Sequence, residues 1–242
     1  MKTKKRRRVK RRNKVRIIRQ KVGVDNIVQL YNIFGIIIGL WALFYPNPFR
    51  LVISLSMLAA SIGFIILFIY KSVEFLVQDG SSPFVGLTIA LNSMAIFMST
   101  TFGSNTIYSA LLWIYFALSC FILTTIMIFL KKIKLRNIDA LFFIIFSIPA
   151  YCMGTILNVN FLYDYSEPSF YTTTIIGKDI YESGEKLHVV VHRVGVSPWG
   201  PIKSKNTVVV PDKVYYEVSD NEIVYVCLKK GLLGINWYYL DI

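Results

Sequence analysis

Five long apolar segments follow one another in this 242-residue chain, and none has a charged residue near its middle. About 20 apolar residues carry a helix across the hydrocarbon of a bilayer. The segments at about 27–45, 50–70, 84–102, 107–130 and 138–157 come close to or exceed that length. Backbone polar groups in lipid must be satisfied within the segment itself, which restricts such runs to helices. The expected fold class is a membrane all-α bundle of about five transmembrane helices over 25–159. It is flanked by a basic head, 1–24, and a small all-β domain, 160–242. Composition agrees: 17% of residues are charged, against roughly 25% in an ordinary soluble domain.

The segment boundaries carry ordinary stop and turn signals. Gly23 followed by Asp25-Asn26 reads as a helix stop and a new N-cap. Pro46-Asn47-Pro48 turns the chain between the first two spans, and Gly103-Ser104-Asn105 reads as a short turn between the third and fourth. Asn92, Ser93 and Ser99 dilute the third span, and Pro149 predicts a kink in the fifth. The first span is too long for a cleavable signal and lacks a small-residue cleavage site.

Charge is concentrated at one end. Thirteen of the 27 Lys and Arg residues lie between Lys2 and Lys21 with no acid among them, leaving 14 basic residues against 14 acidic ones in the rest. The net charge of +13 therefore belongs to the head. Lys4, Lys5, Arg6, Arg7, Arg8, Lys10, Arg11 and Arg12 are its candidate contacts to anionic lipid headgroups, each worth about 1 kcal/mol near such a surface. Val15, Ile18 and Val22 recur at helical spacing, so the head reads either as a basic amphipathic helix on the bilayer or as a solvated tail that enforces topology. A nucleic-acid patch is not expected, because no aromatic precedes Tyr31 to stack on bases. With the head inside, five spans put Lys71 and the Lys131–Arg136 cluster on the cytoplasmic side and the C-terminus outside, as the positive-inside rule requires.

From about Asn160 the pattern changes to short β-branched and aromatic runs. These are Phe170–Ile176, Leu187–His192, Thr207–Val210, Ile223–Leu228 and Ile235–Leu240, separated by Gly, Pro, Asp and Asn. That spacing predicts a small antiparallel sandwich or barrel.

Candidate chemistry is sparse. Asp139 falls at the start of the fifth span, where it reads as a cap. The amides Asn32, Asn92 and Asn158 read chiefly as interhelical hydrogen-bond partners. With scattered Ser residues, Asn32 and Asn92 are also the lining that a small-solute channel or facilitator would need. Gly35 with Gly39, and Ala59 with Gly63, are small-xxx-small pairs expected to pack the first helical hairpin. His188 and His192 are four apart on a strand, about 13 Å, too far to share one metal, and read as a solvated face. Cys120 and Cys152 lie in apolar spans, leaving Cys227 alone in the polar part. A Cys-dependent envelope enzyme would need His188 or His192 and Arg193 beside Cys227, but only Lys229 and Lys230 follow the thiol. No metal or cofactor is expected.

The stretch Tyr216–Val226 and then Gly231-Leu232-Leu233-Gly234-Ile235-Asn236-Trp237-Tyr238 resembles the C-terminal ends of bacterial multi-pass membrane proteins of uncharacterised activity, which carry a small extracytoplasmic β domain. The resemblance covers about the last 30 residues. It implies a bacterial envelope location and no activity, and the expected localisation is the bacterial cytoplasmic membrane. The expectation is a non-enzymatic envelope scaffold or accessory subunit, with a protein partner or a second copy of itself.

Overall fold

The computed structural model describes the backbone of residues 2–70, 72–75, 84–103, 105–131, 141–183 and 189–241. In chain order the elements are α1 (Lys2–Phe44), α2 (Phe49–Ile69), α3 (Gly86–Gly103), β1 (Asn105–Thr106), α4 (Ala110–Lys131), a π-helical turn (Phe143–Ser147) and α5 (Ile148–Leu162). There follow β2 (Ser169–Ser183), β3 (Val189–Val196), β4 (Asn206–Val209), α6 (Asp212–Glu217), β5 (Ile223–Lys229) and β6 (Trp237–Asp241). The chain divides into two compact units, Met1–Ala95 with Ile122–Tyr151 and Ile96–Phe121 with Cys152–Ile242.

Among the described residues, four helical stretches are long and apolar enough to cross a membrane: Gly23–Phe44, Phe49–Ile69, Ala110–Phe129 and Phe143–Leu162. The expected third span corresponds to α3, whose described apolar stretch is Gly86–Thr100. Its polar residues Thr88, Asn92, Ser93 and Ser99 are all buried. The expected break at Gly23 is absent. α1 runs unbroken from Lys2 to Phe44, and the apolar residues beyond Asn26 continue the same helix.

In the first unit α1, α2 and α3 meet closely. Asn32 and Thr88 hydrogen-bond, as do Asn92 and the Gly35 carbonyl, so residues ascend together and α1 runs parallel to α3. α2 runs antiparallel to α3, with Ser56 on Asn92 and Gly63 against Ile89. Phe64 packs on Phe143 and Tyr151 at 6.2 and 5.0 Å between ring centroids. At Pro149 the helix carries a π turn immediately before the proline. Proline offers no N–H to the carbonyl four residues back, and the Ile148 N–H reaches Phe143 O, five residues back, to close a π turn just before it.

The second unit is organised by an antiparallel sheet in the order β1-β6-β5-β2-β3-β4, curled almost into a barrel. β2 serves two partners: its first half, Ser169–Thr174, pairs with β5, and from Ile175 it pairs with β3. An irregularity between Ile175 and Gly177 bends it at that switch. Alternation then fills the interior. Val194 and Val196, Val208 and Val210, Val224 and Val226, and Tyr238 and Leu240 all point inward around Ile175 and Trp199. Two features lie outside the sequence reading. The expected Gly103–Asn105 turn contributes strand β1, and the β region carries a helical turn, α6, started after Pro211.

Candidate functional site

A buried polar arrangement links the end of α5 to the turn between β5 and β6. Asn160 is 1% exposed. Its Nδ2 donates to Ile235 O at 2.8 Å, and its Oδ1 accepts from Leu233 N and Ile235 N at 2.9 and 3.4 Å. Its own carbonyl accepts from Leu232 N at 3.0 Å. Just beyond the helix, Asp164 Oδ2 accepts from Trp237 Nε1 at 2.7 Å and from Gly231 N at 3.1 Å, while Oδ1 accepts from Ser166 N. Burial alone would raise the Asp164 carboxyl, but the hydrogen bonds from Ser166 and Trp237 and the nearby Lys229 charge outweigh it and hold the group below the usual carboxylate range. Gly231, at φ 73°, is required twice over: a Cβ there would be strained and would run into the Asn160 amide.

A second asparagine closes the sheet. Asn105 Nδ2 donates to Val209 O at 2.9 Å and its Oδ1 accepts from Val209 N at 2.8 Å. A primary amide offers one donor and one acceptor side by side, as a peptide group does. Asn105 thus stands in for a strand residue across the β1–β4 seam.

The outer wall of β2, β3 and β4 carries an open groove of about 570 Å³, lined by Ile176, Asp179, Arg193, Thr207 and Val209. Its floor is the cross-strand pair Gly177 and Gly195, and a Cβ at Gly177 would meet nothing within 4 Å. Arg193 also lies over the Tyr181 ring, 4.6 Å from its centroid.

His192 corrects the solvated-face reading. It is 6% exposed, hydrogen-bonds through Nδ1 to Asp212 Oδ1 at 2.8 Å and stacks on Tyr215 at 4.5 Å. α6 is thereby pinned against the inward side of β3. The alternation that turns Val194 and Val196 inward does the same for His192, and that period was the signal in the sequence. His188 lies outside the described residues. Cys227 is buried, and burial first, with the Asp241 charge, pushes its thiol up despite a hydrogen bond with Tyr239. A nucleophilic thiol needs the opposite shift. Cys227 pairs with Phe170 and His192 with Ile180, ten residues apart on β2, or about 33 Å of strand. The structure therefore does not bring the two together.

The amides of the apolar helices bond to protein groups on their own and neighbouring segments. Asn32 Nδ2 donates to Phe84 O at 2.7 Å. Asn92 Nδ2 donates to Gly35 O and Thr88 O, both at 2.8 Å, and its Oδ1 accepts from Ser56. In the second unit Asn158 Nδ2 donates to Ile96 O and to Gly154 O, both at 2.8 Å. Gly35 and Gly39 approach α3 rather than α2: a Cβ at Gly35 would strike Thr88, and one at Gly39 would lie 2.9 Å from Leu91 Cγ. Gly63 takes the Tyr31 hydroxyl and Ile89 against its Cα, and Tyr31 donates to Ala59 O at 3.0 Å. Gly154, tight against Ile96 and Phe97, plays the same part and was missed. Its signal was the Gly154-x-x-x-Asn158 spacing.

The side chains of the eight head cations, Lys71, residues 132–136 and Asp139 lie outside the described part. Among the described residues no three His, Cys, Asp or Glu side chains converge as a metal site. The four long apolar helices support a membrane protein, and the curled antiparallel sheet defines its second structural element. Comparisons with protein-family models, curated proteins and solved structures return no match to this chain.

Proposed function

We propose that this is a non-enzymatic scaffold or accessory subunit of the bacterial cytoplasmic membrane, holding a small β module on the extracytoplasmic side. The observation that carries the reading is how the module is mounted. β1, between α3 and α4, enters the sheet beside β6, and Asn160 and Asp164 at the end of α5 clasp the β5–β6 turn. A module tied at both places keeps a fixed pose relative to those helix ends. That suits presentation of a surface to a partner better than a freely tethered domain would.

The head lies on the cytoplasmic side against anionic lipid, and the chain crosses five times, with α3 as a crossing. One observation favours counting α3: it runs parallel to α1 along its first half. Five crossings place the C-terminus outside, with cations enriched inside. The partner is another membrane or envelope protein, or a second copy of this chain. Purification of the full chain in mild detergent is expected to recover a stoichiometric partner or a homo-oligomer; a lone monomer overturns the proposal. A topology reporter fused after Ile242 is expected to be active only outside the cytoplasm.

A further inference from the structure

The β5–β6 turn reads Gly231-Leu232-Leu233-Gly234, an unusual tip for a hairpin, where polar residues normally face water. Its backbone is equally unusual. Gly231 N–H goes to Asp164 Oδ2, Leu232 N–H to Asn160 O, Leu233 and Ile235 N–H to Asn160 Oδ1, and Gly234 N–H to Gly231 O. Five consecutive N–H groups are thus bonded within the protein. Irregular backbone at membrane depth is tolerated only on that condition, because no water is available there.

The side chains set the depth. Leu233 and Ile235 pack with Leu112 of α4 and with Met153, Ile156 and Leu157 of α5. Leu157 lies five residues before the end of the apolar stretch Phe143–Leu162, about 7.5 Å along the helix. The turn therefore descends beside both helices past the ends of their apolar stretches, yet Leu232 at its tip is 54% exposed. Just above it Trp237 packs edge-on against Phe161, with ring centroids 4.6 Å apart, and Lys230 is exposed where the turn begins. An exposed cation such as Lys230 can snorkel to the level of the headgroups.

We propose that the β5–β6 turn is sunk into the bilayer leaflet that adjoins the barrel, with Leu232 in contact with lipid acyl chains. The hairpin tip is a second membrane anchor for the β module, distinct from the helices. This inference rests on α4 and α5 crossing the membrane and not on the scaffold role.

The test uses the full chain in phosphatidylcholine proteoliposomes, made with and without bromine on the acyl chains. Leu232→Trp and Ile223→Trp each add one fluorophore to the native background; Ile223, 72% exposed, lies at the opposite end of β5. The added emission of Leu232→Trp is expected to be blue-shifted, to lose most of its intensity in brominated vesicles and to resist iodide. Ile223→Trp is expected to show the reverse. Quenching of Leu232→Trp by iodide overturns the proposal, and so does indifference to both quenchers, which means that protein covers the site. Should Leu232→Trp fail to fold, a nitroxide on Leu232→Cys gives the same decision, through relaxation by oxygen or by a water-soluble nickel complex.

Discussion

Asn92 in the first unit and Asn160 in the second are both buried amides that spend every hydrogen bond on protein groups. Their neighbours differ. Asn92 sits among α1, α2 and α3, whose backbones already satisfy themselves, so its bonds to Gly35 O and Thr88 O are additions to carbonyls that keep their helical partners. Asn160 faces the β5–β6 turn, where Leu233 N, Ile235 N and Ile235 O depend on it. Helices in lipid use an amide as a stitch, whereas an irregular turn uses it as missing backbone. The cost of removal should therefore follow the backbone left behind and not the number of bonds seen.

Asn160→Leu is the sharpest way to test that contrast. It leaves two N–H groups and one carbonyl without partners in a buried turn, at about 1–3 kcal/mol each. A loss on the order of 3 kcal/mol or more is expected in denaturant unfolding of the micelle-bound protein. New proteolysis between Lys229 and Trp237 should accompany it. A loss below about 1 kcal/mol would break the comparison, because the turn would then have found water or other partners.

Asn105→Ala should come next. It removes the side chain that bridges β1 to β4 and leaves Val209 N and O without their seam partner. The seam lies at the sheet edge, where water reaches more easily, so about 1–2 kcal/mol is expected. Faster hydrogen exchange at Val209 N–H is the specific readout, with the amides of β5 unchanged.

Asp164 sharpens the same latch through pH. Its carboxyl lies below the usual value in the folded protein, so it stabilises the fold fully above the unfolded value of about 4 and loses that contribution as pH falls through the folded value. Stability of the native chain should decline on acidification in that window. Asp164→Asn should start lower at neutral pH and show a flatter decline. An equally steep decline in Asp164→Asn would assign the acid sensitivity to other carboxylates.

These contrasts also mark what was legible in the sequence. Period-2 runs such as Val224 and Val226 announced the sheet, because alternation is a local consequence of the pleat. β1 was not legible: Asn105-Thr106 is too short for a period, and only its distant partners Trp237 and Tyr238 make it a strand. Likewise Asn92, Ser93 and Ser99 looked like a weakened span, because hydropathy counts polar groups without knowing that neighbours bury them. His192 was misread from its residue type although the strand period turned it inward. The Gly231–Trp237 motif was visible as a pattern. Its meaning depends on Asn160 and Asp164, some 70 residues away, which no local rule connects to it.

The smallest effect belongs to Asn92→Leu, and its smallness is the informative part. The substitution removes the donations to Gly35 O and Thr88 O and the acceptor of Ser56 Oγ. Both carbonyls retain their helical N–H donors, and a serine in a helix can turn its hydroxyl to its own carbonyl four residues back. Little is stranded, so the expected loss is about 0.6 kcal/mol, the typical worth of an interhelical hydrogen bond in a membrane. The same variant separates packing from transport: if Asn92 lined a solute path, Leu would alter liposome flux, whereas a stitch between helices leaves flux as in the native chain. A loss as large as that of Asn160→Leu would mean that the helices of the first unit lean on this amide for more than a stitch. The distinction between self-satisfied helices and a dependent turn would then fail.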